Sequence, residues 1–498
     1  MFSKVLVANR GEIAVRILRT LREMGIASVA VFSDVDREAL HVQVADQAVG
    51  LGDPRPSASY LDIGKIVDAA RRTGAQAIHP GYGFLAENPA FAKNVAEAGL
   101  VFVGPSADAL ARLGNKTEAR RTVGGVGVPI IPGMDAPETD LERLASAADR
   151  IGYPVLVKAA AGGGGKGMRV AASPGELRSA AQAATREAAA SFGDGSIYLE
   201  KFLFRPRHVE FQILADAHGN AVHLFERECS VQRRHQKIIE ETPSPALDDE
   251  LRERMGRTAL AAARAAGYVN AGTVEFLLDG REFYFLEVNA RIQVEHPITE
   301  LLTGLDLVRC QLEIAAGEPL PLRQEQVTRR GHAVECRIYA EDPRHGFAPS
   351  PGRVLLARFP EGPGVRCDAG IGSGSEVPVH YDPILAKVAV HASTRSAALA
   401  RMTRALEDCV ILGVQTPIEF LLDVLRSEPF AAGRTHTRFL DEHFADWRPD
   451  DTTDPLALVG FVLDRLAGNV VATGAAPAPG TPDVSSPWQR LGAWGRSV

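Results

Sequence analysis

The sequence predicts a multidomain protein of mixed α/β and α+β class. Three observations carry that reading: a β-α-β pattern at the N-terminus, a change of pattern around a glycine-rich loop after about residue 115, and a length of 498 residues, about three domains of ~150 residues. Residues 5–8 are a short apolar run ending at Asn9-Arg10-Gly11. Ile13, Ile17, Leu18 and Leu21 follow at helical spacing, and residues 28–32 read as a second strand. A helix near 62–72 and strands at 77–78 and 100–103 continue the pattern, so residues 1–115 read as one open parallel sheet. The first turn has Gly11 but no GxGxxG, which argues against a dinucleotide fold.

Residues 116–330 read as a second domain. It holds a strand at 155–158, the glycine loop, a strand at 168–170, an Ala-rich helix at 174–190 and a strand at 197–202, a small α+β lid spanning about 130–204. Strands at 209–215 and 221–226, a helix at 248–266 and a hairpin at 273–289 complete it. A third, strand-rich domain spans 331–445, with Gly/Pro punctuation at 349–352 and 362–364. From 446 onward a short apolar helix at 455–466 precedes an Ala/Pro-rich linker at 472–487 and a tail.

Composition narrows the function class. A chain 45% hydrophobic and 23% charged is neither disordered nor collagenous. Its net charge of −7 gives no overall attraction to nucleic acid or an anionic membrane, so any anion site is built locally. Five cysteines without a CxxC pair read as reduced thiols, and the N-terminal apolar run is too short for a signal peptide. No apolar run approaches the ~20 residues of a membrane span. The expected compartment is the cytoplasm.

The loop Gly162-Gly163-Gly164-Gly165-Lys166-Gly167 lies between two strands and lacks the Ser or Thr that follows a P-loop lysine. It fits a glycine flap whose backbone N–H groups approach phosphates, with Lys158 adding a charge beneath it; a flexible hairpin tip is the plain alternative. Lys116 follows Asn115, a good N-cap with Glu118 three residues on, and is either a surface lysine or an anion ligand at a helix start.

The strongest signal is Glu275 with the run 287–296 (EVNARIQVEH). A hairpin centred on Arg281 sets Leu278 opposite Tyr284 and Glu275 opposite Glu287, and facing carboxylates without His or Cys suit Mg²⁺. If the segment stays extended, Glu287, Asn289, Arg291, Gln293 and Glu295 share one face while Val288, Ile292 and Val294 bury the other. The basic run 233–237 (RRHQK) is either a solvated turn or part of the site. Glu335 and Arg337 share a strand face as an ion pair or as site residues, and 79–84 (HPGYGF) is first of all a tight turn.

Together these residues closely resemble the biotin carboxylases of the ATP-grasp superfamily over residues 1–445. The likeness rests on 8–14 (ANRGEIA), 79–88 (HPGYGFLAEN), 158–170 (KAAAGGGGKGMRV), 205–216, 232–241 (QRRHQKIIEE), 291–297 (RIQVEHP) and 380–387. Ala290 departs from the usual Thr, and Lys166 is one of two basic residues seen in the flap; neither is a reacting group. The resemblance implies an ATP-grasp fold with a Rossmann-like N-terminal domain, a mobile lid and a strand-rich C-terminal domain.

It further implies that ATP is held by Lys116, Lys158, Gly163, Gly164, Gly165, Lys166, Gly167, Phe202, His208, Gln232 and His235, with Glu200, Lys201 and Leu203 around the adenine. Glu275, Glu287 and Asn289 would bind two Mg²⁺ (or Mn²⁺). Lys237, Arg291, Gln293 and Val294 would hold bicarbonate, Glu295 would be the general base, and Arg337 would bind the biotin ureido oxygen. The implied reaction is ATP-dependent carboxylation of biotin on a carrier protein, the first half-reaction of an acyl-CoA carboxylase. Implied partners are a biotin carboxyl carrier and a carboxyltransferase subunit, in a homodimer or larger holoenzyme. None of the six methionines adjoins a lysine, so biotin is expected on a partner. Residues 487–494 resemble the start of the segment that follows this unit in longer carboxylase chains. Rival readings are another ATP-grasp carboxylate ligase and a silent nucleotide-binding regulator.

Overall fold

Apolar β1 (Lys4–Val7) lies at the centre of a five-stranded parallel sheet. Its neighbours are β2 (Ala27–Ser33), β3 (Gln47–Gly52), β4 (Ala77–His79) and β5 (Val101–Phe102), in the order β3-β2-β1-β4-β5. Helix α1 (Gly11–Glu23) presents Ile13, Ile17, Leu18 and Leu21 to this sheet, as their spacing predicts. Strand β3 was not legible in the sequence, because its residues are largely exposed on a sheet edge and carry no apolar run. The computed structural model describes residues 1–134, 136–160, 168–192, 194–450, 459–460 and 462–463, with backbone alone at 116–117 and 191–192. Residues Met1–Trp447 form one unit and Arg448–Val498 another, in which 459–460 and 462–463 are helical. The remainder of the helix expected at 455–466, and the linker at 472–487, lie outside the described residues.

Helices α2 (Leu40–Val44), α3 (Ile63–Thr73), α4 (Pro89–Glu97) and α5 (Ala107–Gly114) complete the N-terminal layer. Asn115 caps α6 (Lys116–Gly124) by accepting from the Glu118 N–H, as its sequence signature predicts. A separate small core follows. Strands β6 (Val155–Ala159), β7 (Arg169–Ala171) and β8 (Ile197–Lys201) form an antiparallel sheet in the order β7-β6-β8. Helices α7 (Leu141–Ile151) and α8 (Pro174–Phe192) cover it through Leu144, Ala148, Leu177, Ala181 and Ala184.

An eight-stranded sheet organises the rest. It is built from β9 (Arg207–Ala215), β10 (Ala221–Arg233), β11 (Gln236–Thr242), β12 (Asn270–Asp279), β13 (Glu282–Asn289), β14 (His332–Tyr339), β15 (Val365–Ala369) and β16 (Ile384–Ala392). The order is β13-β12-β9-β10-β11-β14-β16-β15, so hydrogen bonding runs unbroken across residue 331 through the pair β11–β14. Helix α9 (Asp249–Ala265) packs Met255, Ala259 and Ala263 against Phe211, Phe276 and Phe285. On the far side, α10 (His296–Thr303) lies over β14 and β16, with Ile298 on Ala333 and Ala389.

Two histidines deep in the N-terminal layer report on its acid stability. Burial is the largest influence on both, lowering His41 to about 4 and His79 to about 3. The unfolded chain therefore takes up protons near the ordinary 6.5 that the folded chain refuses, so stability present above 6.5 is lost as pH falls toward 4 and then 3. We expect His41→Gln to flatten part of this decline. Urea midpoints at pH 7, 5.5 and 4.5 measure it, and a variant with the same slope as the parent would contradict the buried neutral imidazole.

Candidate active site

The polar faces of β9 to β14 meet the end of β6–β8 and the turn after β4 around a cleft of about 1250 Å³. At one end, Ile131, Leu156, Val170, Phe202, Leu203, Leu277 and Leu286 give it apolar walls. Lys158 on β6 donates to Glu200 on β8 at 2.7 Å, and Arg120 pairs with the same carboxylate. Lys201 turns away and donates to the Gly152 and Tyr153 carbonyls at 2.7 and 2.9 Å, so what it offers the cleft is main chain. Gly163, Gly164, Gly165, Lys166 and Gly167 lie outside the described residues, as does the side chain of Lys116.

The hairpin register follows the sequence only in part. Glu275 does face Glu287, and Thr273 faces Asn289. Leu278, however, pairs with Phe283 and Leu277 with Tyr284, because the loop is the two residues Gly280 and Arg281 and a bulge between Glu275 and Phe276 shifts the register. That bulge lets a tight turn coexist with facing carboxylates. Glu275 is buried and accepts from Asn289 Nδ2 at 2.8 Å, Gln293 Nε2 at 3.0 Å and Lys237 Nζ at 2.8 Å. His208 Nε2 lies 2.9 Å from its other oxygen, and Gln232 Nε2 donates to His208 Nδ1 at 2.7 Å. Burial alone would raise the Glu275 pKa, but Lys237 and His208 outweigh it and hold the carboxyl well below its ordinary value. Two carboxylates and an amide at Asn289 are hard oxygen donors of the kind Mg²⁺ takes, so the residues present fit that ion.

Beyond Asn289 the extended alternation does not persist. Residues 290–295 are irregular and α10 begins at His296, with Glu295 at its N-cap in a non-extended conformation. Val294 consequently lines the cleft rather than the core, while Val288 and Ile292 are buried as expected. The polar side chains still converge, now through a loop. Arg291 donates to Glu87 at 3.0 Å and to Asn289 at 3.1 Å. Glu295 Oε1 accepts from Lys237 at 2.8 Å and its Oε2 from Arg337 at 3.0 Å. Burial would raise the Glu295 pKa; Lys237, Arg337 and Arg227 override it and keep the carboxylate ionised.

The basic run 233–237 divides between its two readings. Arg234 and His235 are exposed at a two-residue turn, both with positive φ, and stand on the cleft rim. Lys237 points inward, where it also contacts Glu210 and lies 3.3 Å from Gln293 Oε1. Arg337 does not pair with Glu335. Its Nε donates to Glu240 at 2.6 Å, since Glu240 faces Glu335 across β11–β14 and intercepts the guanidinium.

Sequence reasoning missed Glu87, Glu210, Arg227 and Glu240. Arg227 is fully buried, donating to Glu210 at 2.6 Å and to Gln212, Thr299 and Thr273. A signal existed: His208, Glu210 and Gln212 alternate with Val209, Phe211 and Ile213, a polar period of two inside an otherwise apolar strand.

A cleft with an apolar slot and interleaved carboxylates and cations fits an ATP-dependent ligase of the ATP-grasp type. Three family models match in tandem: "Biotin carboxylase, N-terminal domain" over residues 1–110, "Carbamoyl-phosphate synthase L chain, ATP binding domain" over 115–323, and "Biotin carboxylase C-terminal domain" over 335–442. Biotin carboxylase of a Nostoc species is 52% identical over 443 residues, 89% of this chain and 99% of that one. A pyruvate carboxylase subunit of Methanothermobacter thermautotrophicus is 51% identical over 89% of this chain and 90% of its own. The α subunit of mitochondrial methylcrotonoyl-CoA carboxylase of Glycine max is 49% identical over 94% of this chain, which spans 64% of that subunit's length. Among solved structures, the biotin carboxylase domain dimer of Hydrogenobacter thermophilus 2-oxoglutarate carboxylase, with MgADP, ADP and bicarbonate, matches at TM-score 0.84 and 45% identity over 89% of this chain and 98% of that one. A Campylobacter jejuni biotin carboxylase matches at 0.85 and 42%, over 89% and 99%. The chain belongs to the biotin carboxylase family.

Lys237 is the cation that makes the cluster tenable, because Glu210, Glu275 and Glu295 all lean on it. Replacing it by Met leaves three buried carboxylates short of a counter-charge, so Lys237→Met should cost about 3–5 kcal/mol of stability. Denaturant unfolding at neutral pH measures this, and an unchanged midpoint would show that the carboxylates are compensated elsewhere.

Proposed function

We propose that this chain carboxylates biotin with bicarbonate at the expense of ATP, giving carboxybiotin, ADP and phosphate, with the roles in the cleft as follows. The carrying observation is Glu295 held between Lys237 and Arg337, next to the buried carboxylate of Glu275. Nucleotide lies in the apolar slot, its adenine against Phe202, Leu203 and the main chain of Glu200 and Lys201. Lys158, His208, Gln232 and His235 serve its polyphosphate; Lys116 and residues 163–167 are assigned to ATP on the sequence resemblance. Glu275, Glu287 and Asn289 would hold Mg²⁺, which when bound supplies charge neutralisation for the phosphates.

Bicarbonate sits among Lys237, Arg291, Gln293 and the Val294 main chain. An anion arriving there draws on the charge of Lys237, which weakens its hold on Glu295 and raises that carboxylate's affinity for a proton. Glu295 then accepts the bicarbonate proton as the oxygen attacks phosphorus, and the chain's task is orientation and charge balance. Carboxyphosphate, the product of that attack, releases phosphate, which takes the ureido proton as the biotin nitrogen bonds the carboxyl carbon; Arg337 faces the ureido oxygen and stabilises the charge that grows there. The division into residues 1–115, 116–330 and 331–445, with the lid at about 130–204, belongs to this reading. So do a biotin carrier and a carboxyltransferase as partners, a homodimeric or larger holoenzyme, and a cytoplasmic setting, which the five free cysteines suit. Relatives of this chain are subunits of biotin-dependent carboxylases. Among the described residues no helix is long and apolar enough to cross a membrane.

Glu295→Gln should lower bicarbonate- and biotin-dependent ATP turnover by ~10²–10⁴ while nucleotide affinity stays within a few-fold. A coupled ADP-release assay decides it, and near-normal turnover would sink the assignment. Glu287→Ala should act earlier, raising the Mg²⁺ concentration needed for nucleotide binding, because it removes a carboxylate ligand. Fluorescent-nucleotide titration against Mg²⁺ is the measurement; an unaltered Mg²⁺ dependence would place the ion elsewhere.

A further inference from the structure

The motif 380–387 has no part in the roles above, yet it ends at Lys387, a fully buried lysine on β16 directly across the strand pair from Arg337. Its Nζ donates to the Val294 carbonyl at 2.6 Å and lies 3.3 Å from Glu12 Oε2 on α1. Asp368 faces it across β15–β16, and the Tyr82 ring lies 5.7 Å away. A lysine without solvent exposure is costly to bury, and the carbonyl it reaches belongs to the irregular segment that carries Gln293, Val294 and Glu295.

Two neighbouring peptide planes of that segment are each fixed by a buried side chain. The Gln293 carbonyl accepts from the His296 N–H at 3.3 Å and from His296 Nδ1 at 2.7 Å, in a fully buried imidazole. Because the peptide is planar and trans, this sets where the Val294 N–H points, away from its partner carbonyl. The next plane, carrying the Val294 carbonyl, is set by Lys387, and its orientation fixes the start of the Glu295 residue. Side-chain bonds from Lys237 and Arg337 hold the Glu295 carboxylate, but they act at its far end.

We propose that Lys387 is a positioning residue for the bicarbonate site: by holding the Val294 carbonyl it aims the main chain of residues 293–295 at the anion and couples that loop to α1 and to β16. The inference rests on the bicarbonate reading given above. Lys387 touches no reactant; it acts through Val294. Its charge is balanced by Glu12 and Asp368, and Glu335 on β14 adds a further carboxyl to its surroundings.

Kinetics of the 498-residue chain with sodium bicarbonate, MgATP and free biotin test this, with Lys387→Met as the variant of similar length. The KM for bicarbonate should rise about tenfold or more, the loss of one hydrogen bond from a charged donor, while the KM for MgATP stays within about twofold. Because Lys387→Met strands Glu12 in the interior, the double variant Glu12→Gln/Lys387→Met is measured beside it; it should recover thermal stability and keep the raised bicarbonate KM. A bicarbonate KM near the parent value in either folded variant, or a parallel rise in both KM values, would overturn the proposal. Parent protein whose ATP turnover ignores bicarbonate would instead overturn the bicarbonate reading itself.

Discussion

A single ammonium group sits where three carboxylates of different elements converge. Lys237 on β11 meets Glu210 from β9, Glu275 from β12 and Glu295 from the loop before α10. None of these carboxylates is tolerable alone in a buried setting, since desolvation by itself drives each toward the neutral form. With Lys237 among them, Glu275 and Glu295 stay ionised. The arrangement thereby stores negative charge beside a site that must handle anions, while Lys237, Arg227 and Arg337 keep the balance from becoming repulsive.

The same electrostatics explain why the segment after β13 leaves the sheet. A strand continued through residues 290–295 would keep Arg291, Gln293 and Glu295 in a row at about 6.6–6.8 Å spacing, too far apart for one lysine to serve. Curling that segment brings Gln293 and Glu295 to the same lysine and lets Arg291 reach both Asn289 and Glu87. The irregular backbone needs partners for its own polar groups, and it finds them in His296, Lys387 and the Glu87 carboxylate that accepts the Ala290 N–H. Residues far apart in sequence thus combine to hold six residues of loop.

The N-terminal and C-terminal parts take part in this. Glu87 follows the turn after β4, which Gly81 and Gly83 form at positive φ, and Glu12 opens α1. Gly370, after β15, lies so close to the start of α1 that a Cβ there would meet the Glu12 nitrogen at 2.5 Å. The approach of that backbone to α1 requires a glycine.

Most of the α/β pattern was legible in the residues themselves, because helical spacing in α1 and apolar runs in β1 and β2 are local signals of burial. The facing pair Glu275 and Glu287 was expected from a hairpin centred on Arg281, but the molecule reaches it another way: the two-residue turn alone would set Glu275 opposite Leu286, and the bulge restores Glu287. The loop register was not legible: the bulge beside Glu275 arises from accommodating a two-residue turn, and no side-chain pattern announces it. The split of 233–237 between an exposed turn and an inward lysine was likewise invisible, because composition does not say which side of a strand faces a cleft. Sequence determined which residue types are available and which of them lie near one another along the chain. Only the tertiary structure decided that Arg337 answers to Glu240 and Glu295 rather than to Glu335, and that Lys387 reaches Val294. Charged groups find their partners, carboxylate or carbonyl, through space, and pairs separated by 42, 93 and 97 positions leave no trace in local periodicity.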